Sequence, residues 1–64
     1  MKFELYSRVK FIGDNMKFPE IKNGDVGCII EDYGDGCFEV EFSAQPFGIT
    51  YALLAIPKEL LIPV

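Results

Sequence analysis

Five carboxylates, Glu31, Asp32, Asp35, Glu39 and Glu41, fall within an eleven-residue stretch of this chain, the densest concentration of titratable groups in it. Carboxylates so close together can share general acid–base work or hold a hard cation. The spacing fits neither use well: Glu39 and Glu41 alternate with Phe38, Val40 and Phe42, as on the wet face of a strand, and the run lacks the EF-hand ligand ladder. Their expected role is that of a solvated strand face, with attraction of a basic partner the lesser alternative. Nucleophilic catalysis has little to build on. There is no histidine, so neither Ser7 nor Ser43, nor the thiols of Cys28 and Cys37, has an imidazole base to activate it. With no CxxC and no histidine cluster, a zinc site is not expected. The sequence reads as that of a non-enzyme with no catalytic residues, no cofactor and no metal.

The elements that carry these groups follow from hydrophobic periodicity. The chain has 64 residues, enough for one domain, and a domain of this size buries only about 60% of the surface its unfolded form exposes. Half of its residues are hydrophobic, including six Phe and three Tyr, so it folds rather than staying disordered. Leu5 to Ile12 alternates with period two, placing Leu5, Val9 and Phe11 on one face and Tyr6, Arg8 and Lys10 on the other. The stretch GDNMKFPEIKNGD then reads as a long loop, since its proline and glycines disfavour regular structure. Val26–Glu31 and Cys37–Phe42 form a hairpin around DYGDG, where glycine and aspartate tolerate positive φ. Ile29 and Ile30 are both apolar, which calls for a bulge at Gly27 or a covered second face. ITYALLAI is apolar on both faces, with Ile49, Tyr51 and Leu53 on one parity. PKEL is expected to make a single helical turn, with Pro57 in its first position, and Leu60–Ile62 a last strand. The predicted architecture is all-β: a small, five-stranded, SH3-like, partly open barrel over residues 1–64, with a 3₁₀ turn before the last strand.

The two cysteines test the hairpin register. A turn centred on Gly34-Asp35 or Asp35-Gly36 leaves Cys28 and Cys37 roughly four to six positions out of step. That is roughly 13 to 20 Å along the strands, too far for a disulfide. Two free thiols, with no signal-peptide-like run in MKFELYSRV and no long apolar stretch, point to a soluble protein of the reducing cytoplasm.

In layout the chain resembles SH3-like barrels, with the first loop in the place of the RT loop and PKEL in that of the 3₁₀ turn. More closely, GDVGCIIEDYGDGCFEVEF followed by GITYALLAIPKELLIPV is similar to a family of small prokaryotic proteins classed only as a domain of unknown function. The pattern GxVGxIxE, DGxxEVEF, GxTYALL that carries this likeness is structural, so it implies a fold and no activity. The chain departs from that family at AQPF, where an acidic turn would be expected and Phe47 makes the loop apolar. The layout is also similar to KOW-type barrels of ribosome and transcription factors and to barrel subunits of electron-transfer complexes. A KOW-type module would bring a basic loop, and a proline-peptide-binding barrel a groove tryptophan; this chain has neither.

Function is then a matter of surface. The net charge of −4 repels phosphate backbones and favours a neutral or basic protein partner, so nucleic acid is disfavoured. Lys2, Arg8, Lys10, Lys17 and Lys22 make the amino-terminal part relatively basic, but without a basic run. Met16, Phe18, Tyr33, Phe47, Ile49 and Tyr51 either cap the barrel ends and a strand shared between two sheets, or exceed what so small a core can hold and are the candidate anchors for a protein partner or a homodimer, with Asp35 for orientation. The expected function is a protein–protein interaction module, the small acidic partner of a basic protein, antitoxin-like, immunity-like or an accessory subunit. The rivals are a KOW-like nucleic-acid or ribosome-associated module and an accessory barrel of an electron-transfer complex.

Overall fold

The computed structural model describes residues 3–14, 16–44 and 48–64. Five strands form one antiparallel sheet: β1 (Arg8–Phe11), β2 (Val26–Asp32), β3 (Cys37–Ala44), β4 (Ile49–Pro57) and β5 (Leu61–Pro63), with a 3₁₀ turn, η1 (Lys58–Leu60), before β5. The order across the sheet is β4-β3-β2-β1-β5, and the sheet does not close, so β4 and β5 are its edges. The expected all-β class, strand count and 3₁₀ turn are all present. Among the described residues, no helix is long and apolar enough to cross a membrane.

Alternation along the strands decides which side chains meet. Val9, Phe11, Ile29, Phe38, Val40, Phe42, Ala52, Ile56 and Leu61 point to one side and form a single buried cluster, in which Phe11, Ile29, Val40, Phe42 and Ile56 are fully enclosed. Burying one such side chain stabilises the fold by about 1.5–3 kcal/mol, so a handful of them carries the domain. The first loop also contributes. Ile21 is buried, and Phe18 sets its ring edge-on to Phe11 with centroids 5.9 Å apart. The loop is held by the strand it leaves: Gly24 N–H donates to the Phe11 carbonyl at 2.7 Å, and Phe11 N–H to the Asp25 carbonyl at 2.8 Å.

Three sequence expectations are corrected. The first strand begins at Arg8, not Leu5, because the Ser7 N–H and hydroxyl both donate to the Glu4 carbonyl and Tyr6 takes φ 67°. This turn breaks the alternation and leaves Leu5 half-exposed instead of on the core face. The irregularity in β2 lies between Ile29 and Glu31, not at Gly27. Gly27 is required by close packing: a Cβ there would stand 2.7 Å from Val40 Cγ1 and 2.8 Å from the Glu41 carbonyl oxygen. Pro57 closes β4 in an extended conformation (φ −61°, ψ 144°) and caps η1 from outside, so the helical turn starts one residue later than its sequence suggests.

The hairpin register settles the cysteines. Cys28 lies opposite Glu41 on β3, while Cys37 lies opposite Pro57 on β4, so the two thiols never face each other and both are free.

Candidate protein-interaction surface

The outer face of the sheet is built by the residues that alternate with the core. Register places Arg8, Cys28, Glu41 and Leu53 in one row across β1, β2, β3 and β4. The next row on that face sets Glu31 of β2 opposite Glu39 of β3, and Glu39 opposite Ala55 of β4. Neither Glu39 nor Glu41 therefore has a cationic neighbour directly across the ladder, and Glu39 has a like charge there, a mildly destabilising arrangement. Both carboxylates are half-buried and hydrogen-bonded to hydroxyls: Thr50 Oγ1 donates to Glu41 at 2.7 Å, and Tyr33 Oη donates to Glu39. The sequence expectation of a fully solvated acidic face is refined accordingly: these groups are fixed in orientation.

The hydroxyl of Tyr33 feels this environment. Its hydrogen bond to Glu39, some desolvation and the charges of Glu39, Glu31 and Asp35 push its pKa up to about 12. Asp35, in the same turn, accepts the Cys37 N–H at 3.1 Å and so shapes the hairpin as well as charging it. Gly34 and Gly36 supply the positive φ of this turn.

The apolar candidates divide between two places. Met16 is 85% exposed, and with Phe18, Gly13, Asp14, Lys17 and Leu60 it lines a groove of about 540 Å³ between the first loop and η1. Phe18 has its ring committed to the core, so Met16 is the free apolar side chain of that pair. Ile49 is 66% exposed and Tyr51 44% exposed at the start of β4. Tyr51 occupies a register shift between Phe42 and Ser43, lies 6.3 Å from the Phe42 ring, and donates to Asp25 at 3.2 Å. Burial first, then the Asp25 charge and hydrogen bond, raise its pKa. Phe47 lies outside the described residues. Tyr33, Ile49 and Tyr51 are thus on or beside the β3–β4 half of the sheet, whereas Met16 and Phe18 lie in the first loop.

Leu53 was missed as a site residue. It is 52% exposed in the middle of β4 and shares the sequence parity of Ile49 and Tyr51 in ITYALLAI, but the register shift at Tyr51 sets Leu53 opposite Glu41 on the outer face and Ile49 opposite Ala44 on the other. Leu5, Tyr6 and Val64 are also exposed, away from β4 in the sequence. Among the described residues, no group of three or more His, Cys, Asp or Glu is gathered in a way that could hold a metal ion.

The model of the family described as "Domain of unknown function (DUF4926)" matches residues 5–63. The chain belongs to that family. The matched span runs from Leu5 at the turn before β1 to Pro63 at the end of β5, so the family unit is the whole sheet. No curated protein and no solved structure matches the chain.

Proposed function

We propose that this DUF4926 domain is a non-catalytic protein–protein interaction module that acts in the cytoplasm and binds a neutral or basic protein. One observation carries the reading: Leu53 is half-exposed on the edge strand β4 directly opposite Glu41, in line with the hydrogen-bonded carboxylates Glu41 and Glu39, while Ile49 and Tyr51 are exposed at the start of the same strand, beyond the register shift that sets them toward the Phe42 side. Exposed aromatic and aliphatic side chains beside a fixed acidic row combine the two ingredients of a protein-binding patch, anchors that exclude water and charges that orient the approach. The free thiols Cys28 and Cys37 suit a reducing compartment. The partner is of the kind met by small acidic subunits and inhibitors: a protein with a positively charged surface.

The test is affinity capture from the native host with the intact chain, followed by reconstitution of the complex from purified components. The expected result is a stoichiometric complex with a protein of high pI that weakens as salt is raised. Salt-sensitive binding to RNA or DNA in a mobility-shift assay, without a protein partner, would replace this reading with the nucleic-acid one.

A further inference from the structure

The two edges of the sheet are not equivalent. β5 has three residues, ends in Pro63 and offers little for another strand to pair with. β4 has nine residues, ITYALLAIP, none of them charged. Edge strands are ordinarily protected by charge, proline, bulges or brevity. Among the described residues β4 has only the register shift at Tyr51 and Pro57 at its far end, which leaves Ala52–Ile56 as an unprotected template.

The direction of its free backbone groups follows from the ladder. Lys58 N–H donates to the Gly36 carbonyl at 2.8 Å, so the pair in register at 58 and 36 is a hydrogen-bonded one. Hydrogen-bonded and non-hydrogen-bonded pairs alternate along an antiparallel ladder. Ile56, Leu54 and Ala52 therefore bond to β3, and Leu53 and Ala55 turn their N–H and C=O groups away from it. Pro57 falls on the outward parity as well, where its missing N–H removes no ladder bond. The backbone groups free to receive a strand thus belong to the two residues whose side chains lie beside Glu41 and Glu39.

We propose that the β4 edge receives, by strand addition, an extended segment of the partner in which Arg or Lys alternates with apolar residues. This deepens the interaction-module reading and rests on it. A cationic side chain on the incoming strand opposite Leu53 lays its aliphatic stem along that exposed leucine and carries its head toward Glu41. One opposite Ala55 passes over a methyl group toward Glu39, where the cation relieves the repulsion between Glu39 and Glu31. The Thr50 and Tyr33 hydroxyls already hold the two carboxylates in place, so little ordering remains to be done on binding. Charge argues against a second copy as occupant: each chain carries −4, and β4–β4 pairing would join two acidic faces and bring a cation to neither.

The test uses a fluorescein-labelled nine-residue peptide alternating arginine and valine, its glutamate–valine analogue, and the full chain. The arginine–valine peptide is expected to bind, more tightly as salt falls, and the glutamate–valine peptide to show no binding. Ala55→Pro removes an outward-facing N–H without touching the ladder to β3, and is expected to weaken binding at least tenfold. Should that variant fold poorly by circular dichroism, backbone N-methylation of the peptide at alternate residues makes the same cut from the other side. Glu39→Gln with Glu41→Gln is expected to flatten the salt dependence. Equal binding by Ala55→Pro and by the N-methylated peptide would overturn the proposal. So would sedimentation showing a wild-type dimer that Ala55→Pro abolishes, which would make a second copy the occupant. If a native partner is captured equally by wild type and Ala55→Pro, strand addition falls and the interaction module stands; if neither captures a protein, both fall.

Discussion

Tyr51 of β4 and Asp25 at the foot of β2 are joined by a 3.2 Å hydrogen bond, although β3 lies between their strands in the sheet. The Tyr51 ring stands 6.3 Å from that of Phe42 on the intervening strand, so the side chain crosses over the sheet to reach its partner. Asp25 Oδ2 also accepts the Lys22 N–H at 3.0 Å. One carboxylate oxygen therefore ties the end of the first loop, the start of β2 and the edge strand together, and Tyr51 has a structural role beside any part in recognition.

Tyr51→Phe keeps the ring and loses the hydroxyl. For an exposed bond the expected cost is at the low end of about 0.5–1.5 kcal/mol. Tyr51→Ala adds the loss of the ring contact with Phe42, about another 0.5–1.5 kcal/mol beyond the area it exposes. Urea denaturation of both variants, with Asp25→Asn to complete a cycle, measures the coupling; an interaction energy of zero between positions 25 and 51 would dismiss the bridge.

Tyr33 supplies a pH signature. Its pKa, raised from 10.0 to about 12 mainly by donation to Glu39, favours the neutral phenol in the fold. A group with a raised folded pKa contributes stability that is fully present below its unfolded pKa and is lost as pH climbs through the folded one. The contribution of Tyr33 should thus hold up to about pH 10 and disappear between about 10 and 12. In a spectrophotometric titration of the native protein, Tyr33→Phe should delete an ionisation phase near pH 12; Glu39→Gln should move that phase toward lower pH. A phase that is unaffected by either change would place the Tyr33 hydroxyl elsewhere.

How far the sequence could be read depended on the range of the interaction that decides each feature. Phe38-Val40-Phe42 has only one way to alternate, and the hairpin around Gly34 and Gly36 is a local matter of positive φ, so β2, β3 and their turn were legible. The turn at Glu4–Ser7 was not, because Leu5 and Tyr6 continue the strand pattern while the Ser7 hydroxyl and N–H fold the chain back on Glu4. The sequence left a bulge at Gly27 and a covered second face as alternatives because the need for this glycine is tertiary: among its obstacles are Val40 and Phe42, thirteen and fifteen residues on. For the surface, parity pointed to one side of β4 but could not say that β4 is an edge. Nor could it show the register shift at Tyr51, which sets Leu53 and Ile49 on opposite faces.

Gly27→Ala tests the tertiary reading. The new Cβ would meet Val40 Cγ1 at 2.7 Å, the Glu41 carbonyl oxygen at 2.8 Å and Phe42 Cδ1 at 2.9 Å, and two of those neighbours are fully buried. Because one obstacle is backbone, rotamer changes alone cannot make room, and the expected loss is about 1–3 kcal/mol or more. At Gly24 nothing lies within 4 Å, and only its φ of 97° opposes a side chain. Val40→Ala in the same chain as Gly27→Ala removes one of the three obstacles, so chemical denaturation of the double variant should show a loss smaller than the sum of the two single losses. A loss equal to that sum would refute a clash between the new methyl and Val40.

Leu53→Lys separates folding from recognition. Leu53 is half-exposed and directly opposite Glu41, so a lysine there leaves the core intact and creates an opposite-charge cross-strand pair. Such a pair contributes roughly 0.2–1 kcal/mol relative to Ala–Ala, and lysine on an edge strand also discourages further strand pairing. The variant should unfold at a urea concentration equal to or above that of the wild type, yet bind the basic partner at least tenfold more weakly, since its ammonium occupies the carboxylate that the partner would use. A residue that serves only the fold would show stability and binding falling together. Opposite movement of the two, read by denaturation and by titration of the reconstituted complex, is the signature of a residue kept exposed for a neighbour, and unchanged binding by Leu53→Lys would remove β4 from the interface.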